Sequence, residues 1–369
     1  MAVKKNPPFR AEHVGSFQRP AELAQAARDF RADKINGDEF TAIQDQSIKD
    51  VVAFQEGLGL GAVTDGEFRR RGWSAGFIDA VDGFGLRDGT LGFRDESGDI
   101  GIAKSPYAKE RLRRAKPIVA DDFRFLNNLA SATPKVTIPS PPVMHFFLGP
   151  RAVDEEIYPD MEEYYADLAA IYRDEISELG DAGCTYLQFD ETAVPCNCDD
   201  NVRADVSARG EDPDRLTARY AALINDALAG RPDDMTIAMH FCRGNMKGAW
   251  MAEGGYELIA EVFFNEVNVD ALFLEYDSPR AGDFEPLRFV PADKAVILGL
   301  VSTKTPELED PDDLKRRIDE AAVHVPLEQL GLSPQCGFAS APGGGQVITH
   351  DDERRKLELI LKVAEDVWG

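Results

Sequence analysis

Eight short apolar runs, each followed by a polar turn and a helical pattern, set the frame for this chain. They lie near residues 11–16, 62–65, 135–140, 185–190, 236–242, 271–276, 295–301 and 332–336. Several are almost unbroken stretches of aliphatic side chains, as from Ala295 to Val301. Strands covered on both faces have this character, whereas half-exposed strands alternate. Between them, residues 161–179 place Tyr164, Leu168, Ile171, Tyr172, Ile176 and Leu179 on one helical face. Residues 215–228, 256–264 and 351–367 follow the same rhythm. Strands alternating with helices imply a parallel sheet, and eight such units predict an α/β fold of the (βα)8 TIM-barrel type, with an open doubly wound sheet as runner-up.

Two stretches depart from the repeat. Residues 17–50 read as an N-terminal helical excursion. Residues 74–134 are too long for one crossover. Within them 81–101 alternates like a hairpin, while 109–116 is basic and reads as a solvated helix face. No Pro/Gly/Ser-rich linker interrupts the chain, so a single barrel over residues 1–369 is expected, with an insertion at roughly 74–134 after the second strand.

Charge narrows the partners. With 41 basic and 66 acidic residues the net charge is −25, which excludes counterion-driven nucleic-acid binding and attraction to anionic membranes. No run approaches the ~20 apolar residues needed to span a bilayer, and the N-terminus lacks the apolar core of a secretory signal. A cytoplasmic protein is expected, and homo-oligomerisation is left open. Five thinly spread cysteines argue against a disulfide framework.

The chemistry concentrates at the C-terminal ends of the later strands. His240 and Cys242 close the fifth, Glu275 the sixth and Cys336 the eighth. Residues i and i+2 of a strand face the same side, and the C-terminal ends of barrel strands converge on one mouth. One imidazole, two thiolates and a carboxylate are a ligand set for tetrahedral Zn²⁺. Each residue alone is more often core packing; the conjunction is what points to metal.

These residues resemble the catalytic barrel of cobalamin-independent methionine synthase, in its short single-barrel subgroup. The resemblance covers most of the chain. His240, Cys242, Glu275 and Cys336 match the family's zinc ligands, within a His-x-Cys-Arg-Gly-Asn run at residues 240–245. Gly15-Ser16 resembles the first-strand motif whose backbone touches the amino-acid substrate. Gly66-Glu67 resembles the motif whose Glu holds the substrate ammonium, and Asp190-Glu191 the motif whose Asp does the same. The resemblance implies a Zn²⁺-dependent methyltransferase, like 5-methyltetrahydropteroyltriglutamate–homocysteine S-methyltransferase. It would act through Glu67 and Asp190 on a small thiol, homocysteine, to give methionine. Ser16 and Arg243 are further expected substrate contacts.

The match breaks on the donor side. The family carries a His after the seventh strand; residues 300–306 have none, and Lys304 stands there instead. A methyltetrahydrofolate, a methylated corrinoid or a corrinoid protein all stay open as donor. So do an alkyltransferase or demethylase using another thiol and a non-catalytic zinc-binding barrel. Arg69, Arg70, Arg71 and Arg243 either neutralise an anionic substrate or pair with neighbouring acids. Weaker signals are the Cys196/Cys198 pair, the Gly343-Gly344-Gly345 run with the look of a phosphate loop, and Trp73, Trp250 and Phe338 as pocket walls or packing.

Overall fold

The computed structural model describes residues 7–95, 98–339 and 347–369. Its strands are β1 (Ala62–Val63), β2 (Val81–Asp95), β3 (Gly98–Arg114), β4 (Thr133–Pro134), β5 (Val136–Pro139), β6 (Tyr186–Glu191), β7 (Thr236–Phe241), β8 (Ala271–Glu275), β9 (Ala295–Val301) and β10 (Leu330–Pro334). β5 through β10 form a parallel sheet in sequential order. β1 pairs in parallel with β4, and the Lys135 N–H between β4 and β5 donates to Val63 O at 2.8 Å. Residues 133–139 therefore act as one stave. The ring closes through residues 11–16, where Ala11 bridges Leu332 of β10 in parallel and the Phe17 N–H donates to Gly66 O. The result is the eight-staved α/β barrel expected from the alternation of strands and helices.

The helices cover the outer face. Helix Met161–Asp181 starts at Asp160, whose side chain accepts from the Glu162 N–H, and buries Tyr164, Leu168, Ile171, Tyr172, Ile176 and Leu179. Its Glu175 is fully buried and accepts from the N–H groups of Ile118, Val119 and Ala120. That carboxylate supplies the cap that Val119 lacks at the start of helix Ala120–Leu129. The N-terminal excursion is two helices, Ala21–Arg31 and Gly37–Leu58. None of the helices among the described residues is long and apolar enough to cross a membrane.

The hairpin is larger than the alternation suggested. β2 and β3 pair antiparallel from Val81/Arg114 to Asp95/Gly98. The basic stretch 109–116, expected as a helix face, is mostly strand: Arg111 pairs with Glu163 and Arg113 with Asp82 on the exposed side, while Arg114 turns inward to the buried Glu175. Arg94 of β2 makes reciprocal backbone bonds with Trp250, at 2.8 and 2.9 Å, and its guanidinium pairs with Asp199.

A polar layer crosses the barrel interior. Lys135 and Glu12, both fully buried, form an ion pair at 3.2 Å. Tyr186 donates to Glu12 at 2.8 Å, and the Lys135 ammonium lies over the Tyr186 and Phe273 rings. Burial pulls the Lys135 pKa down, opposed by Glu12. Breaking a buried pair leaves one charge uncompensated, at a cost of about 3–5 kcal/mol. Lys135→Met is expected to lower the urea-derived unfolding free energy by about that much, with Glu12→Gln added to it restoring most of the loss. A fall of under about 1 kcal/mol in the single variant would show that the pair does not hold the barrel.

Candidate active site

One imidazole and two thiols that could hold a metal ion meet at the mouth. β7 carries His240 at its end, Cys242 follows directly, and Cys336 follows β10. One ligand atom from each lies within 4.8 Å of the other two. The two sulfurs are 3.7 Å apart. His240 Nε2 is buried without a hydrogen-bond partner among the described residues. Buried ring nitrogens are normally satisfied, so this atom asks for a ligand. The Cys242 thiol has its pKa pushed well up, first by its hydrogen bond with Cys336 and then by burial. A cation between the sulfurs would reverse that preference. Cys336 is partly exposed, which leaves the cluster open to the mouth.

Glu275 ends β8 beside this cluster but is not one of the three mutually close ligands. Its carboxylate accepts from Gln335 Nε2 at 3.1 Å and from the Arg243 N–H at 3.3 Å, and the Lys304 ammonium stands 3.8 Å away. Gln335 is itself oriented by Thr303, whose N–H and hydroxyl donate to its Oε1 at 2.8 and 2.9 Å. Gln335 and Thr303 were not expected as site residues. Their only sequence signal is adjacency, one to Cys336 and the other to Lys304. Lys304 is buried and also pairs with Asp277 at 3.3 Å; its pKa is raised because these acids outweigh burial.

Two carboxylates lie close together next to this cluster. Glu67 sits in the left-handed region at φ 61°, in the turn after β1, where its N–H donates to Asp65. Its Oε1 accepts from Thr137 Oγ1 at 2.8 Å and pairs with Arg70 at 3.3 Å. Asp190 lies level with His240 in the β6–β7 ladder, so the carboxylate pair adjoins the His240, Cys242 and Cys336 cluster. Its pKa is pushed up to about 6, chiefly by burial and next by repulsion from Glu67. A cationic group seated there would relieve both effects.

Ser16 lies against the turn after β10: its carbonyl accepts from the Phe338 N–H at 3.0 Å and its hydroxyl from Ala339 N–H at 3.3 Å. A Cβ on Gly337 would come within 2.0 Å of Ser16 Oγ, so a larger residue there would force the Ser16 hydroxyl to swing away. Arg243, expected at the substrate, is buried behind Glu275. Its guanidinium donates to Tyr256 OH at 2.9 Å and Gly254 O at 2.7 Å. The arginine run pairs with acids: Arg69 with Asp45 and Asp122, Arg70 with Glu67, Arg71 with Asp79. Cys196 and Cys198 are buried and belong to no metal-competent group among the described residues. Phe338 packs on Phe17, Trp250 lies under Arg280, and Trp73 is half exposed. The Gly343–Gly345 run lies outside the described residues.

Residues 9–351 match the family model described as Cobalamin-independent synthase, Catalytic domain. The chain belongs to this family. It is similar to the protein YxjH of Bacillus subtilis (strain 168), with 43% identity over 367 residues, 99% of this chain and 96% of the relative. It is also similar to the methionine synthase of Pyrococcus abyssi (strain GE5 / Orsay), with 26% identity over 336 residues, 88% of this chain and 85% of that one. Its fold is shared with a B12-independent methionine synthase from Shewanella sp. W3-18-1, at a TM-score of 0.73 and 21% identity, covering 99% and 98% of the two chains. As a cobalamin-independent synthase, the chain is a methyltransferase.

Beside Asp190, Glu191 is buried, accepts from Ser140 Oγ and the Val194 N–H, and has its pKa pushed up to about 7 by burial. The folded state therefore holds this proton more tightly than the unfolded chain. The stability it contributes is complete below the usual carboxyl pKa and is lost as pH rises through about 7. Relative to wild type, Glu191→Gln is expected to gain in melting temperature between pH 5 and pH 8. A difference that does not change across that range by calorimetry would rule the protonated carboxyl out.

Proposed function

We propose that this chain is a Zn²⁺-dependent methyltransferase that moves a methyl group to the thiol of homocysteine, giving methionine, on one barrel spanning residues 1–369. The observation that carries the reading is the joining of two unlike sites in one mouth. Asp190, one of two carboxylates, is the register partner of His240, one of three metal-type ligands.

The donor set fits zinc. Two sulfurs each about 2.3 Å from one tetrahedral ion stand about 3.8 Å apart, and Cys242 and Cys336 are at 3.7 Å. Bound there, Zn²⁺ would supply the positive charge that keeps a coordinated thiol deprotonated at neutral pH. Glu275 is the proposed fourth and exchangeable ligand. A carboxylate already supplied with hydrogen bonds by Gln335 and Arg243 is a weaker donor than a thiolate, so Glu275 would hold the ion less firmly than the two cysteines.

The chain's own residues hold the rest of the substrate. Glu67 and Asp190 pair with its α-ammonium, and the backbone around Ser16 meets its carboxylate. The transferred methyl forms a C–S bond as its bond to the donor breaks, the electron pair leaving with the donor and the thiol proton passing to water. The acidic pair favours an amino-acid thiol over a sulfonate thiol.

Three measurements test this. Zinc-loaded protein, supplied with homocysteine and in turn a methyltetrahydropteroylglutamate or a methylcorrinoid, is expected to release methionine with one donor; no methionine with any of them overturns the assignment. Glu67→Gln and Asp190→Asn should each raise KM for homocysteine by about ten- to a hundredfold, the worth of a hydrogen bond to a charged group at about 1.5–3 kcal/mol. Cys336→Ser is expected to leave the protein folded with little bound zinc by elemental analysis, while Glu275→Gln keeps most of it. Equal loss in both would make Glu275 a fixed ligand.

A further inference from the structure

Residues 12–16 are held in the barrel less by a ladder than by side chains from other staves. The Glu12 N–H donates to Leu332 O, and beyond it each carbonyl is taken by a group from elsewhere. Lys135 Nζ donates to His13 O, Gln188 Nε2 to Val14 O at 2.6 Å, Thr64 Oγ1 to Gly15 O at 2.5 Å and the Phe338 N–H to Ser16 O at 3.0 Å.

Gln188 differs from the others in what its second proton does. The same amide nitrogen donates to Asp190 Oδ1 at 2.8 Å. Gln188 and Asp190 are two residues apart on β6 and so face the same side. The side chain is fully buried, and its Oε1 has no hydrogen-bond partner among the described residues. Turning the amide over would point Oε1 at a carbonyl and a carboxylate, two acceptors, so its orientation is fixed by its neighbours. Buried acceptors are rarely left unpaired. Here the amide tolerates it because both its donors are engaged.

We propose that Gln188 is a positioning residue that fixes the distance between the two ends of an amino-acid substrate. Through Val14 O it sets the backbone of Gly15 and Ser16, and through Oδ1 it sets Asp190. The inference rests on the proposed reading, in which that backbone meets the substrate carboxylate and Asp190 its ammonium. Gln188 does not touch the substrate; it sets the spacing between the groups that do. No hydrophobic side chain of similar size can do this, because the link needs two donors on one nitrogen. A glutamate would place an acceptor against both partners.

The test compares homocysteine with 4-sulfanylbutanoate, which keeps the thiol and carboxylate but lacks the ammonium. Wild-type, Gln188→Met and Gln188→Glu enzymes are assayed with each thiol, and zinc content and melting temperature are measured alongside. Gln188→Met removes both donors without adding charge, so the result does not depend on one variant folding. For homocysteine, both variants are expected to show a KM at least about tenfold higher, as displaced binding groups produce, with kcat and zinc content close to wild type. For 4-sulfanylbutanoate KM should change much less, so the preference for the amino thiol shrinks. Variants that keep the wild-type preference overturn the inference alone. Equal losses for both thiols overturn it too, since a merely structural residue behaves that way. A wild type that does not distinguish the thiols overturns the functional reading and this inference together.

Discussion

Everything at the mouth depends on the register of two adjacent strands. β6 and β7 pair in parallel from Tyr186/Thr236 to Glu191/Phe241, which sets Asp190 level with His240. A slip of one residue would turn one strand's inward set outward, because side chains alternate with period two. The register is secured on both faces. Leu187, Phe189, Met239 and Phe241 pack among the surrounding helices, while Tyr186 and Ala238 fill the barrel. The residues at the mouth therefore inherit their positions from apolar packing several ångströms below them.

Burial gives the site its electrostatic character. The chain is strongly acidic, yet the carboxylates at the mouth are distinguished by local partners and not by the overall charge. Glu67 lies against Arg70 and Thr137, Glu275 near Lys304 and Gln335, and Asp190 against Gln188. Asp190, buried and repelled by Glu67, has its pKa pushed up to about 6 even with His240, Arg70 and Gln188 beside it. The cations nearby are similarly engaged. Arg69, Arg71 and Arg243 each have partners, so a polyanionic substrate finds no ready-made basic cradle among them.

The barrel was legible because its strands are continuous apolar runs long enough to stand out, and the convergence of His240, Cys242 and Cys336 because H-x-C on one strand is an unusual pairing. Other features were hidden for physical reasons. Residues 109–116 alternate charge with small or apolar residues weakly enough to pass for a helix, and only pairing with β2 makes them a strand. Residues 11–16 carry a strand-like pattern but bridge the barrel at Ala11 alone, since side chains take up the carbonyls that a neighbour would otherwise bind. Arg243 follows Cys242 directly in sequence, yet its guanidinium ends up on Tyr256, behind Glu275. Gln188 and Gln335 act through amide hydrogen bonds across the barrel, and no local spacing signals such contacts.

The hairpin bears on how the molecule loosens. Arg94 exchanges backbone hydrogen bonds with Trp250, inside the loop that begins at Cys242, and its guanidinium holds Asp199 in the loop after β6. The loop that begins at Cys242, in turn, carries the Met251 N–H bonded back to Arg243 O. A ribbon that is remote in sequence is thus stitched to the backbone on which Cys242 stands. Fluctuations that fray the ribbon would pass into that backbone, making the two one cooperative unit in amide exchange.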